Sequence, residues 1–170
     1  ELSMNTCGLC GGTKQGDVLL CRACYARYTI TVVAELKEGK GTTLFDWAER
    51  EARAKLVALQ DEITAKNAAL EELQTRNDRE TDDEVRELVG GQSLPRDDFQ
   101  EIMKTVRNRR WAAVGGNRIF ADAKNTGTSN SVAIEKLLEL LVNIQEERQR
   151  SNASAAIEAA VSLTKRAKAK

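Results

Sequence analysis

The sequence contains no histidine, and this absence limits the chemistry open to the chain. Histidine is the commonest general base in catalysis, so a nucleophile paired with a histidine is excluded. A phosphate-binding glycine loop is also missing, because the segment GGTKQGD lacks the preceding strand, the spacing and the following serine or threonine. We therefore predict that the protein is not an enzyme.

Proline occurs once and aromatic residues make up only 4% of the chain, whereas charged residues make up 31%. This composition is typical of a mainly α-helical, partly extended protein. No apolar run approaches the ~18 residues that a bilayer-spanning helix needs, and no signal-peptide pattern is present. We expect a soluble, cytoplasmic protein that makes no membrane contact.

The chain also lacks a net charge, since 26 basic residues balance 26 acidic ones. No overall field therefore attracts it to nucleic acid or to an anionic membrane. Any binding to phosphate must come from local basic patches.

All four cysteines lie within eighteen residues, as two C-x-x-C pairs formed by Cys7 with Cys10 and by Cys21 with Cys24. Three interpretations fit: a structural zinc site, two disulfides, or a redox or iron–sulfur centre. Zinc is favoured because two such pairs supply four thiolates in a tetrahedron, and glycines beside the first pair allow tight turns. Disulfides need an oxidising compartment, and a redox dithiol needs an α/β context. We predict a structural Zn²⁺ ion bound by all four thiolates, unless a carboxylate replaces one.

Between the pairs, the sequence predicts a turn followed by a short apolar strand at residues 18–20. The segment LCRACYARY at residues 20–28 then resembles the corresponding turn of GATA zinc fingers. This resemblance is confined to residues 7–28 and implies a treble-clef arrangement, in which the second cysteine pair lies on the first turn of a helix. The family's basic DNA-reading tail is missing here, so the resemblance concerns the local fold. The β-branched residues 29–33 are compatible with a strand or a helix.

Apolar residues recur at heptad spacing in the next segment and predict a coiled-coil arm of about three heptads. The a and d columns contain Leu56, Leu59, Ile63, Lys66, Leu70, Leu73 and Asn77. The alternative is an ordinary amphipathic helix packed on its own domain. Thr43 is expected to cap this helix, and Thr81 is expected to cap a second, short helix that ends at Gly90.

The remaining sequence predicts a helix at residues 94–114, a linker at 117–130, a strongly apolar helix capped by Asn130 or Ser131, and an alanine-rich basic tail. We divide the chain into a zinc-binding module (1–40), a coiled-coil arm with an acidic end (41–91) and a helical bundle (92–170). The predicted fold class is mainly α-helical.

Two charged patches are candidate interaction sites. The basic patch, a candidate nucleic-acid site, contains Lys104, Arg107, Arg109, Arg110, Trp111 and Arg118. The acidic patch, a candidate protein-binding site, contains Asp78, Asp82, Asp83 and Glu84. Cations near a helix C-terminus also stabilise the helix dipole, so the basic patch has a structural explanation as well.

The order of a four-cysteine module, a helical arm and an acidic end is loosely similar in layout to the DksA/TraR family, although here the cysteines precede the arm. We predict a non-catalytic, zinc-stabilised adaptor or regulator that binds a protein, with transcription or nucleic-acid machinery as its setting. The alternatives are direct DNA or RNA binding through the basic patch and a structural subunit that forms homo-oligomers through the coiled coil.

Overall fold

The computed structural model describes residues 5–169, and within that range it contains four α-helices and no β-strand. The helices are α1 (Arg22–Lys37), α2 (Leu44–Val89), α3 (Arg96–Ala113) and α4 (Gly116–Lys168). The predicted mainly α-helical fold class, with a four-cysteine cluster near the N-terminus, is confirmed. Among the described residues, no helix combines the length and the apolar character needed to cross a membrane.

The chain forms two compact units. The first comprises the part of the chain up to Ala58 and the part from Val132 onward, and the second comprises Leu59–Ser131. The helices α2 and α4 each contribute residues to both units.

Helix α1 includes residues 29–33, for which the sequence left strand and helix open. Its N-cap is Cys21, whose sulfur accepts a hydrogen bond from the backbone N–H of Cys24. The β-branched Thr29 and Thr31 are accommodated because each hydroxyl donates to the backbone carbonyl four residues earlier, at 3.0 Å in both cases. Fixing the N-terminus through two cysteines therefore outweighs the β propensity of this segment.

Helix α2 begins as predicted and then continues further than predicted. Thr43 accepts a hydrogen bond from the backbone N–H of Asp46 at 3.2 Å. The prediction that a second helix starts at Thr81 is wrong, since α2 runs through this residue without a break. Thr81 is fully buried in the second unit, so packing holds it within the helix although its sequence context resembles a cap.

The a and d columns of α2 contain its half-buried and buried residues between positions 56 and 77. Within the second unit, two polar members bind neighbouring helices. Lys66 donates to the hydroxyl of Thr126 at 2.8 Å and pairs with Asp122 at 3.1 Å. Asn77 donates to the backbone carbonyl of Arg107 at 3.3 Å. Lys66 thus faces α4 and Asn77 faces α3 of the same chain, and the use of these columns between chains stays a prediction.

Helix α4 replaces the predicted linker at residues 117–130, and the prediction that Asn130 or Ser131 begins a helix is wrong. Asn130 is 8% exposed and donates to the backbone carbonyl of Leu59 at 3.3 Å and to the carboxylate of Glu62 at 3.2 Å. Burial against α2 explains why a stretch rich in Asn, Thr, Gly and Ser is helical. In the second unit α2 and α4 are antiparallel, since residues 59 and 62 meet 130 while residue 66 meets 122 and 126.

The core of the first unit joins the cysteine segment to α2 and α4. Its buried apolar residues come from the cysteine segment, from the first turns of α2 and from the middle of α4. They are Leu9, Leu20, Trp47, Ala48, Ala52, Leu137, Leu140 and Ile144.

Candidate metal centre

The four cysteine sulfurs form one cluster in which all lie within 4.8 Å of one another. The sulfurs of Cys7 and Cys24 are 3.9 Å apart, and those of Cys10 and Cys21 are 3.4 Å apart. A tetrahedral ion with metal–sulfur bonds of about 2.3 Å places its ligands about 3.8 Å from one another. The cluster therefore fits a single tetrahedral metal ion, as predicted from the spacing.

The arrangement does not fit disulfides. A disulfide requires sulfurs about 2.05 Å apart, and both nearest pairs are more than an ångström further apart than that. All four cysteines are free thiols. A cluster of four converging sulfurs is what a metal ion requires.

The first cysteine pair is shaped by a tight backbone turn. Gly11 donates to the carbonyl of Cys7 and the N–H of Cys7 donates to the carbonyl of Gly12, each at 2.7 Å. Gly11 adopts a φ of 73°, which a residue with a side chain rarely adopts. The N–H of Gly12 points to the sulfur of Cys10 at 3.3 Å. This turn brings both thiols of the pair to the same side.

The segment between the pairs differs from its prediction. The β contact is a single bridge between Thr6 and Thr13, which flanks the first cysteine pair. Residues 18–20 are not a strand. Leu20 packs into the core while the carbonyl of Val18 accepts a hydrogen bond from the Lys14 ammonium at 2.9 Å, so this segment has no β partner.

The pKa of the Cys21 thiol is shifted in the opposite direction from the pKa values of Cys10 and Cys24. Burial, followed by hydrogen bonds with neighbouring thiols, raises the pKa of the Cys24 thiol, and burial also raises the pKa of Cys10. Burial acts in the same direction on Cys21, but hydrogen bonds from the backbone N–H of Cys24 and from the neighbouring thiols lower the pKa of Cys21 to about 7. Thiols bind a metal ion as thiolates and release their protons, so metal binding weakens at acidic pH.

Three of the four sulfur ligands are enclosed. Cys7, Cys21 and Cys24 are buried, and only Cys10 is exposed. A metal bound by four thiolates has no open position for a substrate or a water molecule. The chemistry of this donor set is that of a structural ion.

The cysteine turn is packed tightly on α4 and bonded to α2, all within the first unit. A Cβ atom on Gly8 would lie 2.8 Å from the carbonyl oxygen of Lys136 and 2.9 Å from the Cβ of Leu140. The ammonium of Lys55 donates to the carbonyl of Leu9 at 2.6 Å. The sequence did not reveal these contacts of Gly8 and Lys55, because the partners lie more than forty positions away along the chain.

The Gly8→Ala variant tests this packing. We expect its free energy of unfolding to fall by about 1–3 kcal/mol, since the new methyl group meets a backbone carbonyl that cannot move independently. Urea denaturation measures the change. Gly41→Ala is the matched control, because a Cβ atom added to Gly41 would meet no other atom within 4 Å and Gly41 has no positive φ. Equal stability of the two variants would show that the turn does not rest on α4.

Helix α1, which begins within the second cysteine pair, is joined to α2 by aromatic contacts. The ring of Tyr28 lies 5.9 Å from that of Trp47, and the guanidinium of Arg27 lies 5.6 Å from the centre of the Trp47 ring. The Tyr28 hydroxyl donates to the carbonyl of Thr42 at 3.2 Å. On the other side of α1, Tyr25, Ile30, Val33 and Leu36 are each more than half exposed, and the ring of Tyr25 lies 6.0 Å from that of Tyr28.

The two predicted charged patches meet each other within the second unit. Arg107 pairs with Asp78 at 3.0 Å, and Arg110 pairs with Glu84 at 2.8 Å. Arg109 also pairs with Glu84. The hydrogen bond that Arg110 donates to Glu84 lowers the pKa of the Glu84 carboxyl and raises the pKa of Arg110. The central charges of both patches are thus neutralised within the chain.

Other members of the patches remain apart from these pairs. Lys104, Arg118, Asp82 and Asp83 are exposed and form no ion pair in the described part of the chain. Trp111 donates its indole N–H to Asn117 at 3.0 Å. Its ring also covers Gly116, where an added Cβ would lie 2.0 Å from the indole. The indole is therefore engaged in the turn between α3 and α4.

Comparison with known proteins found no matching family model, no matching curated protein and no matching solved structure. The similarity in layout to the DksA/TraR family has no support from these comparisons.

Proposed function

We propose that the chain is a zinc-stabilised, non-catalytic adaptor that binds a protein partner through the exposed face of α1. The observation that carries this proposal is a set of apolar side chains on α1 that are each more than half exposed: Tyr25, Ile30, Val33 and Leu36. Contiguous exposed apolar surface is uncommon on a soluble protein and marks sites of protein interaction.

The metal centre supports this role because it fixes the N-terminal end of α1, the helix that we propose contacts the partner. Cys21 caps α1 and Cys24 lies on its first turn, so both would bind the ion while α1 projects from it. An ion bound at this end fixes the helix, while Trp47 supports the opposite face through Arg27 and Tyr28. Zn²⁺ suits four thiolates in this geometry. Its contribution is structural, and the residues of α1 contact the partner.

The ion pairs that the arginines of the basic patch already form favour protein binding over nucleic-acid binding. Arg107, Arg109 and Arg110 already pair with carboxylates, so binding a phosphate would require those pairs to open. The chain also has no net positive charge that would attract nucleic acid over a distance.

The test is affinity capture with the zinc-loaded protein from lysate of its own cells, followed by direct binding to the purified captured protein. Val33→Asp should weaken this binding by tenfold or more, because it places a charge in the apolar contact. Val57→Asp is the matched control: Val57 is 58% exposed and Val33 is 51% exposed, but Val57 lies on α2. The control should bind as the wild type does, and a chelator should abolish binding.

Two results would contradict the proposal. In the first, Val33→Asp and Val57→Asp bind the captured protein equally well. In the second, the purified protein binds duplex or single-stranded nucleic acid at physiological salt, and replacing Arg107, Arg109 and Arg110 by glutamine removes that binding. The second result would instead assign the function to the basic patch.

A further inference from the structure

The first unit contains a groove of about 730 Å³ beside the metal centre. It lies between the cysteine segment, the start of α2 and one face of α4. Its apolar surface is formed by Val18, Leu19, Leu44, Phe45 and Leu140. A volume of this size accommodates several side chains of an incoming helix.

The lining of the groove carries a small excess of negative charge, with four carboxylates against three cationic groups. Lys14 donates to the carbonyl of Val18, and Arg150 pairs with Glu147 at 2.6 Å. The other charged rim residues form no ion pair among the described residues; they are Asp17, Lys136, Glu139 and Glu146. With Arg150 and Glu147 paired, three carboxylates face the ammonium groups of Lys14 and Lys136. This excess of one negative charge favours a ligand that combines apolar side chains with positive charge.

The end of α4 has this combination and lacks a partner in the described chain. Every described residue from 149 to 169 is exposed, although α4 continues to Lys168. Most helical stability in proteins comes from packing of an apolar face, and this segment buries none of its described residues. Ile157 and Val161 supply apolar side chains, and Lys165 and Lys168 follow them.

Helical geometry places the groove wall and this tail on one stripe of α4. At about 100° per residue, Glu139, Glu146, Val161, Lys165 and Lys168 lie within an arc of about 100°. Where the stripe lines the groove it carries three carboxylates and two cations, so its net charge there is −1, and its end is basic; the lining charges are Lys136, Glu139, Glu146, Glu147 and Arg150. When two such stripes pair in antiparallel orientation, the basic end of each meets the acidic part of the other.

We propose that two copies of this chain associate reciprocally, with the α4 tail of each copy (residues 151–168) packed in the groove of the other. The tail cannot enter its own groove, because α4 is one uninterrupted helix from the groove wall to Lys168. The contact is isologous and closes as a dimer. This interface uses neither the exposed face of α1 nor the a and d columns of α2.

The experiment measures mass in solution by sedimentation of the full zinc-loaded chain over a range of concentrations. The wild type should sediment as a dimer. The tail variant (Lys165→Glu with Lys168→Glu) and the groove variant (Glu139→Lys with Glu146→Lys) should each raise the dissociation constant by about tenfold or more. Arg166→Glu is the control, since Arg166 lies about 100° or more around the helix from both lysines and should leave the dimer unchanged.

Mixing the tail variant with the groove variant is the decisive experiment. An equimolar mixture should dimerise as strongly as the wild type. In one contact of the mixed dimer, the acidic tail of the tail variant meets the basic groove of the groove variant. In the other contact, the unaltered tail of the groove variant meets the unaltered groove of the tail variant. Four results would overturn the proposal: a monomeric wild type at all concentrations, a dimer that neither variant weakens, a mixture that stays monomeric, or assemblies that grow without limit. A dimer dissociated by Ile63→Asp and by neither charge variant would place the interface on α2.

Discussion

Removing the metal is expected to release α1 and to expose Trp47 to water. Apparent binding free energies of structural zinc in small modules are about 10–16 kcal/mol at neutral pH, which equals or exceeds the stability of most domains. The cysteine segment also inserts Leu9 and Leu20 into the core of the first unit. Without the ion, that segment cannot hold its turns, so we expect it to unfold together with the contacts of α1.

Elemental analysis and tryptophan fluorescence measure this result. The purified protein should contain one zinc ion per chain, and Cys24→Ser should contain none. In a Trp111→Phe background, a chelator should shift the emission of Trp47 to the red, since Trp47 is only 1% exposed in the folded protein. Excess zinc should reverse the shift. Metal-free protein with the emission of a buried tryptophan would contradict the prediction.

The metal centre could be predicted from the sequence because its determinants are local. The four ligands lie within eighteen residues, and the glycine turn and the helix cap that orient them are formed by their immediate neighbours. The sequence could not reveal the tertiary contacts that the first cysteine turn makes with α2 and α4. The partners of Gly8 and Leu9 are Leu140 and Lys55, which only the tertiary fold brings near.

The helix breaks assigned at Thr81 and Asn130 failed for a related reason. Both residues are typical of helix caps, because their side chains compete for backbone hydrogen bonds. In the structure each is buried on the side of a long helix that faces a neighbour, and Asn130 satisfies its amide through Leu59 and Glu62 on α2. Packing between helices thus overrides the local preference.

The two charged patches show the limit of assigning function from charge alone. Arg107 is 29 positions from Asp78, and Arg110 is 26 positions from Glu84. Neither ion pair is therefore visible as a local sequence pattern. Each patch in isolation resembles a binding site. Together, their central members pair with each other, so charge alone assigns a binding role to neither patch.

The Trp47→Ala variant is expected to have the largest effect of any packing change in the first unit. Loss of a buried tryptophan typically lowers the free energy of unfolding by about 3–5 kcal/mol, through lost transfer energy and the cavity that remains. Trp47 also makes the contacts with Arg27 and Tyr28 that join α1 to α2. Urea denaturation followed by circular dichroism measures the change.

Trp111→Ala is the matched control for this variant, because it removes the same side chain from a half-buried position beside Gly116 and Asn117. We expect it to cost clearly less than Trp47→Ala. Zinc content separates packing from metal binding: the four ligands precede α2, so Trp47→Ala should keep one ion per chain while losing stability. A Trp47→Ala protein no less stable than Trp111→Ala would mean that α1 is held by the ion alone, and the aromatic contacts would then contribute nothing to presenting its exposed face.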